Sequence, residues 1–165
     1  MTRIAESGAR YHQIYTDEQR SRRDSTVWTT VQGVLAPLQF VVFAISLILL
    51  LRYLYTGTGY ELATISILVK TVILYAIMVT GAIWEKVVFG QYLLAPPFFW
   101  EDIVSFVVIF CHTLYLFLLF SGLSPENNLI LVALLAYFIY TINAAQFLWK
   151  FRLARLEQPL GISHA

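Results

Sequence analysis

The sequence predicts an all-α integral membrane protein, a four-helix up-down bundle with both termini on the cytoplasmic side. Three observations lead there. The 165 residues are 59% hydrophobic and only 13% charged, whereas soluble domains carry roughly a quarter charged residues. Four apolar stretches each reach the ~20 residues that a helix needs to cross a bilayer. The connections between them are short, which makes sequential neighbours antiparallel. The same figures exclude other classes. A formal net charge of +1 offers no concentrated basic surface for nucleic acid, so none is expected as a partner. The single cysteine, Cys111, lies in an apolar run and permits no intrachain disulfide.

Residues 1–26 form a polar arm without the apolar core or small-residue cleavage site of a signal peptide, so the first span should serve as the insertion signal. Within the arm, Thr16 suits the N-cap of a short helix, and the segment reads as a solvated basic arm gripping anionic lipid. The transmembrane domain, 27–150, holds spans at roughly 28–54, 62–89, 98–120 and 128–150. Pro37 removes a backbone hydrogen bond inside the first and should kink it. Gly57 and Gly59 mark the first connection, and Gly122 and Pro125 the third. Pro96 and Pro97 end the second, at a helix start where missing amide protons cost nothing. Residues 151–165 form a polar tail. Arg3, Arg10, Arg20, Arg22, Arg23, Lys86, Lys150, Arg152 and Arg155 flank one side of the bundle and only Arg52 the other. By the positive-inside rule both termini and the 90–97 connection are expected to be cytoplasmic, with the membrane crossed four times.

Counting depth at about 1.5 Å per residue brings polar groups from all four spans to one cytoplasmic-side layer. Gln32 and Gln39 come from the first span, Glu85 from the second, Glu101 and Asp102 from the third, and Asn143 and Gln146 from the fourth. The opposite half looks nearly bare except for Lys70, expected to snorkel to the interface. Carboxylates at membrane depth are costly unless protonated, paired or facing a polar cavity, which marks this layer as the candidate site. In the third span Glu101, Ser105, Val108 and His112 recur on one helical stripe.

Each residue also has a plainer reading. Glu85 beside Lys86 suits an interfacial charge pair, and Glu101 and Asp102 suit the positive end of a helix dipole. His112 suits a structural hydrogen bond, and Asn143 and Gln146 suit glue between helices. No phosphate loop, metal-ligand spacing or nucleophile elbow occurs.

The runs Tyr15–Asp24 (YTDEQRSRRD), Val31–Phe40 (VQGVLAPLQF), Met78–Lys86 (MVTGAIWEK), Phe98–Asp102 (FFWED) and Asn143–Phe147 (NAAQF) resemble the 3-vinyl bacteriochlorophyllide hydratases of anoxygenic phototrophs. The resemblance extends over about residues 15–156. It implies a carbon–oxygen hydro-lyase of bacteriochlorophyll biosynthesis, adding water across the C3 vinyl group of chlorophyllide a or a related 3-vinyl bacteriochlorophyllide to give the 3-(1-hydroxyethyl) product. It carries no catalytic residues with it; those follow from the chemistry.

Hydration begins with protonation of the terminal vinyl carbon, and water then attacks the cation left beside the macrocycle. The first step needs a protonated acid, which burial favours, and the second an ionised carboxylate. Glu85 is the expected proton donor, with Glu101 or Asp102 orienting water. Trp84, Trp100 and the Pro37 kink would wall a slot for the flat pigment, with Gln32, Gln39, Asn143 and Gln146 lining it and His112 ligating the substrate's magnesium. The substrate propionate would meet Lys86, Lys150 or Arg152. No cofactor and no metal beyond the substrate's own are expected. The partners are the pigment and the bilayer, with self-association or other pigment-biosynthesis enzymes left open. Two further readings stand beside this one: a non-catalytic pigment- or haem-binding subunit using His112, and a small proton-coupled carrier relaying through Glu85, Glu101 and His112.

Overall fold

Thr16 accepts the amide of Gln19 at 3.2 Å while the Gln19 side chain accepts the Thr16 amide at 3.0 Å, a reciprocal cap that starts the first helix where the sequence places it. The computed structural model describes residues 14–156. Its helices are α1 (Asp17–Ser25), α2 (Val27–Thr56), α3 (Tyr60–Phe89), α4 (Phe99–Ser121) and α5 (Glu126–Leu156). Helices α2 to α5 are long and apolar enough to cross a membrane. Thr26 is at once the C-cap of α1 and the N-cap of α2, in extended conformation, so one residue turns the chain from the arm into the first span. Helix α5 continues past Lys150 into the expected tail, with Arg155 in its last turn, where the helix dipole favours a cation. The rest of the tail and the first part of the arm lie outside the described residues.

Helix α2 packs along α3 and α4 along α5, and the two hairpins meet through α3 with α4 and α2 with α5. The larger core occupies the middle and the Gly57 end of the spans, with Phe43, Leu50, Ile67, Leu74, Val108 and Tyr137 among its buried members. A second core closes the acid-bearing end, where Ile14, Tyr15, Val88, Phe98 and Ala154 pack with Trp84, Phe89 and Phe147. This corrects the reading of the arm as simply solvated. Tyr15 is buried, stacked on Phe89 at 5.7 Å and covered by the Arg23 guanidinium at 4.7 Å. An aromatic ring gains more from that apolar contact than from the headgroup region, so the arm is anchored at its root.

Between the two cores α2 and α3 stay in contact through Gln32 and Thr80 but fully bury none of their residues, while α4 and α5 keep a buried face. On α3 no residue from Tyr75 to Trp84 is buried, and the first buried residue of α2 is Gln39. From Leu74 to Glu85 this interval measures about 16 Å along the axis.

The middle of the molecule is also more polar than expected. Ser46 is hydrogen-bonded to both Ser66 and the Tyr137 hydroxyl. Lys70 does not snorkel: it is fully enclosed, because it falls on the inward stripe Ala63, Ile67, Lys70, Leu74 while Val69 and Val72 take the outer face.

The 2.7 Å approach of the Ser46 and Ser66 hydroxyls sets the register of α2 on α3. In a Cys111→Ser background, Ser46→Cys with Ser66→Cys should therefore oxidise to a disulfide in membranes, read as the loss of two hydrogens by intact-mass analysis. A folded protein that keeps both thiols under oxidant would show a different register.

Candidate active site

Glu85 and Asp102 meet carboxyl to carboxyl, within hydrogen-bonding reach, where the end of α3 faces the first turns of α4. Both are buried. Two ionised carboxylates would repel each other at this distance, whereas one proton between them would turn the contact into a hydrogen bond. The connection from Gly90 to Phe98 supplies the remaining partners. The Leu94 amide donates to Asp102 Oδ2 at 2.6 Å, and the Ala95 amide donates to Glu85 Oε2 at 3.1 Å. Both donors point inward because Leu93 and Leu94 adopt left-handed backbone, with φ of 71° and 59°. For residues with a Cβ that conformation costs roughly 1–2 kcal/mol each, and it is held here by the two acids it serves.

Glu101 is arranged differently. Its Oε1 lies 3.2 Å from Lys150 Nζ of α5, while its Oε2 is buried with no partner among the described residues. The Asn143 side chain donates to the Glu101 carbonyl at 3.0 Å and to Ser105 Oγ at 3.0 Å. Asn143 thus joins α5 to α4 just behind the acids, the gluing role that polar residues in membrane helices usually have. The stripe of Glu101, Ser105, Val108 and His112 is buried along its whole length.

The other expected site residues divide. Gln39 is buried with both amide atoms unpartnered among the described residues, and Gln146 Oε1 is buried in the same condition. With Glu101 Oε2, these are polar atoms from α2, α5 and α4 that have capacity left for water or ligand. Gln32 instead faces α3, donating to Thr80 Oγ1 at 2.8 Å. Trp84 donates to Thr29 Oγ1 at 2.9 Å and sets its ring edge-on to Phe98. It borders the acid end.

Trp100 does not share that wall. It is 69% exposed and lies against Phe99 at the periphery, since α4 turns Glu101, Asp102 and Ser105 inward and leaves Trp100 outside. His112 is placed against a ligand role as well. Its Nδ1 lies 2.7 Å from the Val108 carbonyl and its Nε2 lies 2.7 Å from Lys70 Nζ. A carbonyl only accepts, so Nδ1 carries the proton, and the Nε2 lone pair is taken by Lys70. No nitrogen is left for magnesium.

Several contributors are not singled out by the sequence. The amides of Leu94 and Ala95 are backbone groups in a connection of otherwise unremarkable residues. Lys70 stands out in an apolar run, but its inward direction is fixed only by packing. The Trp84, Phe98, Phe147 enclosure could be anticipated from the Pro-Pro-Phe-Phe-Trp run and the aromatic residues near the end of α5.

Residues 15–153 match the family model described as 2-vinyl bacteriochlorophyllide hydratase. The chain is 65% identical to a curated protein of that name from Rhodobacter capsulatus over 144 residues, covering 87% of this chain and 84% of the relative. It is also 65% identical to the protein of that name from Cereibacter sphaeroides over 149 residues, covering 90% of this chain and 92% of the relative. No solved structure gives a significant match. These names number the vinyl group 2, where the resemblance noted from the sequence numbers it 3. With a match that runs from the Tyr15 anchor through the acid pair to the end of α5, the chain belongs to the 2-vinyl bacteriochlorophyllide hydratase family.

Proposed function

We propose that this protein adds water across the vinyl group of a bacteriochlorophyllide or chlorophyllide, and that the Glu85–Asp102 pair supplies the proton. The relatives' names support the reaction, and the carboxyl contact is the observation that carries the assignment of residues. The terminal vinyl carbon takes the proton from the pair, which leaves positive charge on the carbon next to the ring and adds a second negative charge to the pair. The macrocycle delocalises the first, and the inward amides of Leu94 and Ala95 hold the second. Of the two acids, Asp102 receives the shorter amide bond, which favours charge on Asp102 and leaves the proton on Glu85.

Water then attacks the cation and gives up a proton. Glu101 is fitted to this step, because Lys150 balances its charge through one oxygen while the other keeps its lone pairs. Glu101 takes the proton that water releases and passes it on to the pair, so H and OH are added and the protein is unchanged. Gln39 and Gln146 offer further polar atoms for positioning water or substrate. The pigment lies in the interval between the two cores, beside Trp84 and Phe98.

The four spans form an up-down bundle in ring order α2, α3, α4, α5, a reading supported by which helices touch. The basic residues at the arm, Lys86 and the end of α5 favour placing the acid end in the cytoplasmic leaflet of a bacterial inner membrane.

Glu85→Gln should lower hydration by about 10²- to 10⁴-fold with pigment binding retained, measured by absorbance and mass of the hydroxyethyl product. Near-normal turnover would remove Glu85 from the donor role. Lys150→Met should lower stability by about 1–2 kcal/mol by leaving the Glu101 carboxylate unpaired, seen as a reduced melting temperature in detergent. Adding Glu101→Gln to that variant should recover most of the stability and none of the activity.

A further inference from the structure

Lys70 takes no part in the chemistry above, yet it is completely enclosed in the middle of the spans. A buried ammonium is normally matched by a carboxylate, and none of the described residues gives Lys70 one. Its hydrogen-bond acceptor is His112 Nε2, at 2.7 Å. An ammonium has three N–H groups. The others face the rings of Tyr140, 4.0 Å from its centroid, and Tyr137, at 5.3 Å. Aromatic faces stabilise a cation without replacing an oxygen acceptor.

The surroundings hold this amine in place. His112 is fixed by the Val108 carbonyl and stacked on Tyr137, whose hydroxyl is fixed in turn by Ser46. Lys70 also stands one turn before the stretch of α3, beginning at Tyr75, that is not buried. The unpartnered amide of Gln39 comes from the same neighbourhood on α2, one turn from Phe43, whose ring packs on Tyr140 at 4.7 Å. Lys70 and Gln39, both buried, therefore lie at the inner end of the α3 stretch whose other end carries Glu85, and a ligand would reach Lys70 by displacing the rings of Tyr137 or Tyr140 from it. His112 and Asp102 are ten residues apart on α4, about 15 Å, a length comparable to a substituted tetrapyrrole.

We propose that Lys70, aided by Gln39, receives an oxygen acceptor on the rim of the macrocycle opposite the vinyl group and so sets the direction in which the substrate lies. The sign of the charge fits this placement. Protonation of the vinyl group creates a cation, which an adjacent ammonium would oppose and a distant one hardly affects. The acceptor is the propionate carboxylate or the ring ketone, which offer the same chemistry to the amine. The orientation rests on the acid-pair reading above, whereas the binding contact does not.

The test is equilibrium pigment binding, followed by absorbance, for the full-length protein in lipid nanodiscs. The probes are a 3-vinyl chlorophyllide with its free carboxylate, its methyl ester, and the same pigment with the ring ketone reduced. The wild-type protein should bind one of the two altered pigments about tenfold more weakly, and which one identifies the acceptor. Lys70→Met should bind the parent pigment correspondingly less well and lose the discrimination. Lys70→Gln, which keeps a donor without the charge, serves if the methionine variant does not fold by circular dichroism. Absence of discrimination in the wild type would overturn the proposal, as would a folded Lys70 variant that keeps the wild-type preference. Because binding is measured rather than turnover, failure of the Glu85 assignment would leave this result readable.

Discussion

Two carboxyl groups buried in an apolar helix pair can persist only if every oxygen has a partner, and the acid end is organised around meeting that demand at Glu85 and Asp102. In the proposed arrangement the groups satisfy one another through a proton, and the amides of Leu94 and Ala95 donate to the oxygens that remain. To aim those amides, the chain accepts two consecutive leucines in left-handed conformation. To hold that connection, Phe98 and Phe89 are packed under Tyr15, whose burial explains why the polar arm begins with an aromatic anchor. Removing the acids would leave the strained connection without its reason.

The division into two cores follows from the same arrangement. Helix α3 carries no fully buried residue between Leu74 and Glu85, so the spans are least enclosed along the stretch where the proposed substrate would lie. The larger core beyond it makes the bundle rigid. Its polar members, Lys70, His112, Ser46 and Tyr137, join α3 to α4 and α2 to α5, the contacts through which the two hairpins meet. Such hydrogen bonds contribute little each, about 0.6 kcal/mol on average in measured membrane helices, but they fix which surfaces face each other.

Much of this was legible in the sequence, and the limits are physical. Hydropathy and short connections give four long helices, because length and apolarity alone decide whether a helix can span a bilayer. The energetic cost of carboxylates drew attention to Glu85, Glu101 and Asp102 before any contact was known. Periodicity placed Glu101, Ser105, Val108 and His112 on a buried stripe. What failed was direction and pairing. Counting residues gives depth but not the rotation of one helix against another, so the sequence puts Trp100 on the wall of the slot and lets Lys70 snorkel, whereas Trp100 is exposed and Lys70 enclosed. The pairing of Lys70 with His112 joins residues 42 apart, and no local signal marks it. The inward amides were invisible for a different reason: they belong to the backbone.

The central claim is that Glu85 and Asp102 share one proton. Infrared spectroscopy of the protein in lipid nanodiscs, at neutral pH and with carboxyl bands identified by their shift in D₂O, tests it most directly. A protonated-carboxyl band present in the wild type and lost or shifted in both Glu85→Gln and Asp102→Asn is the result expected. Its absence from the wild type, or its persistence unchanged in both variants, would contradict the claim.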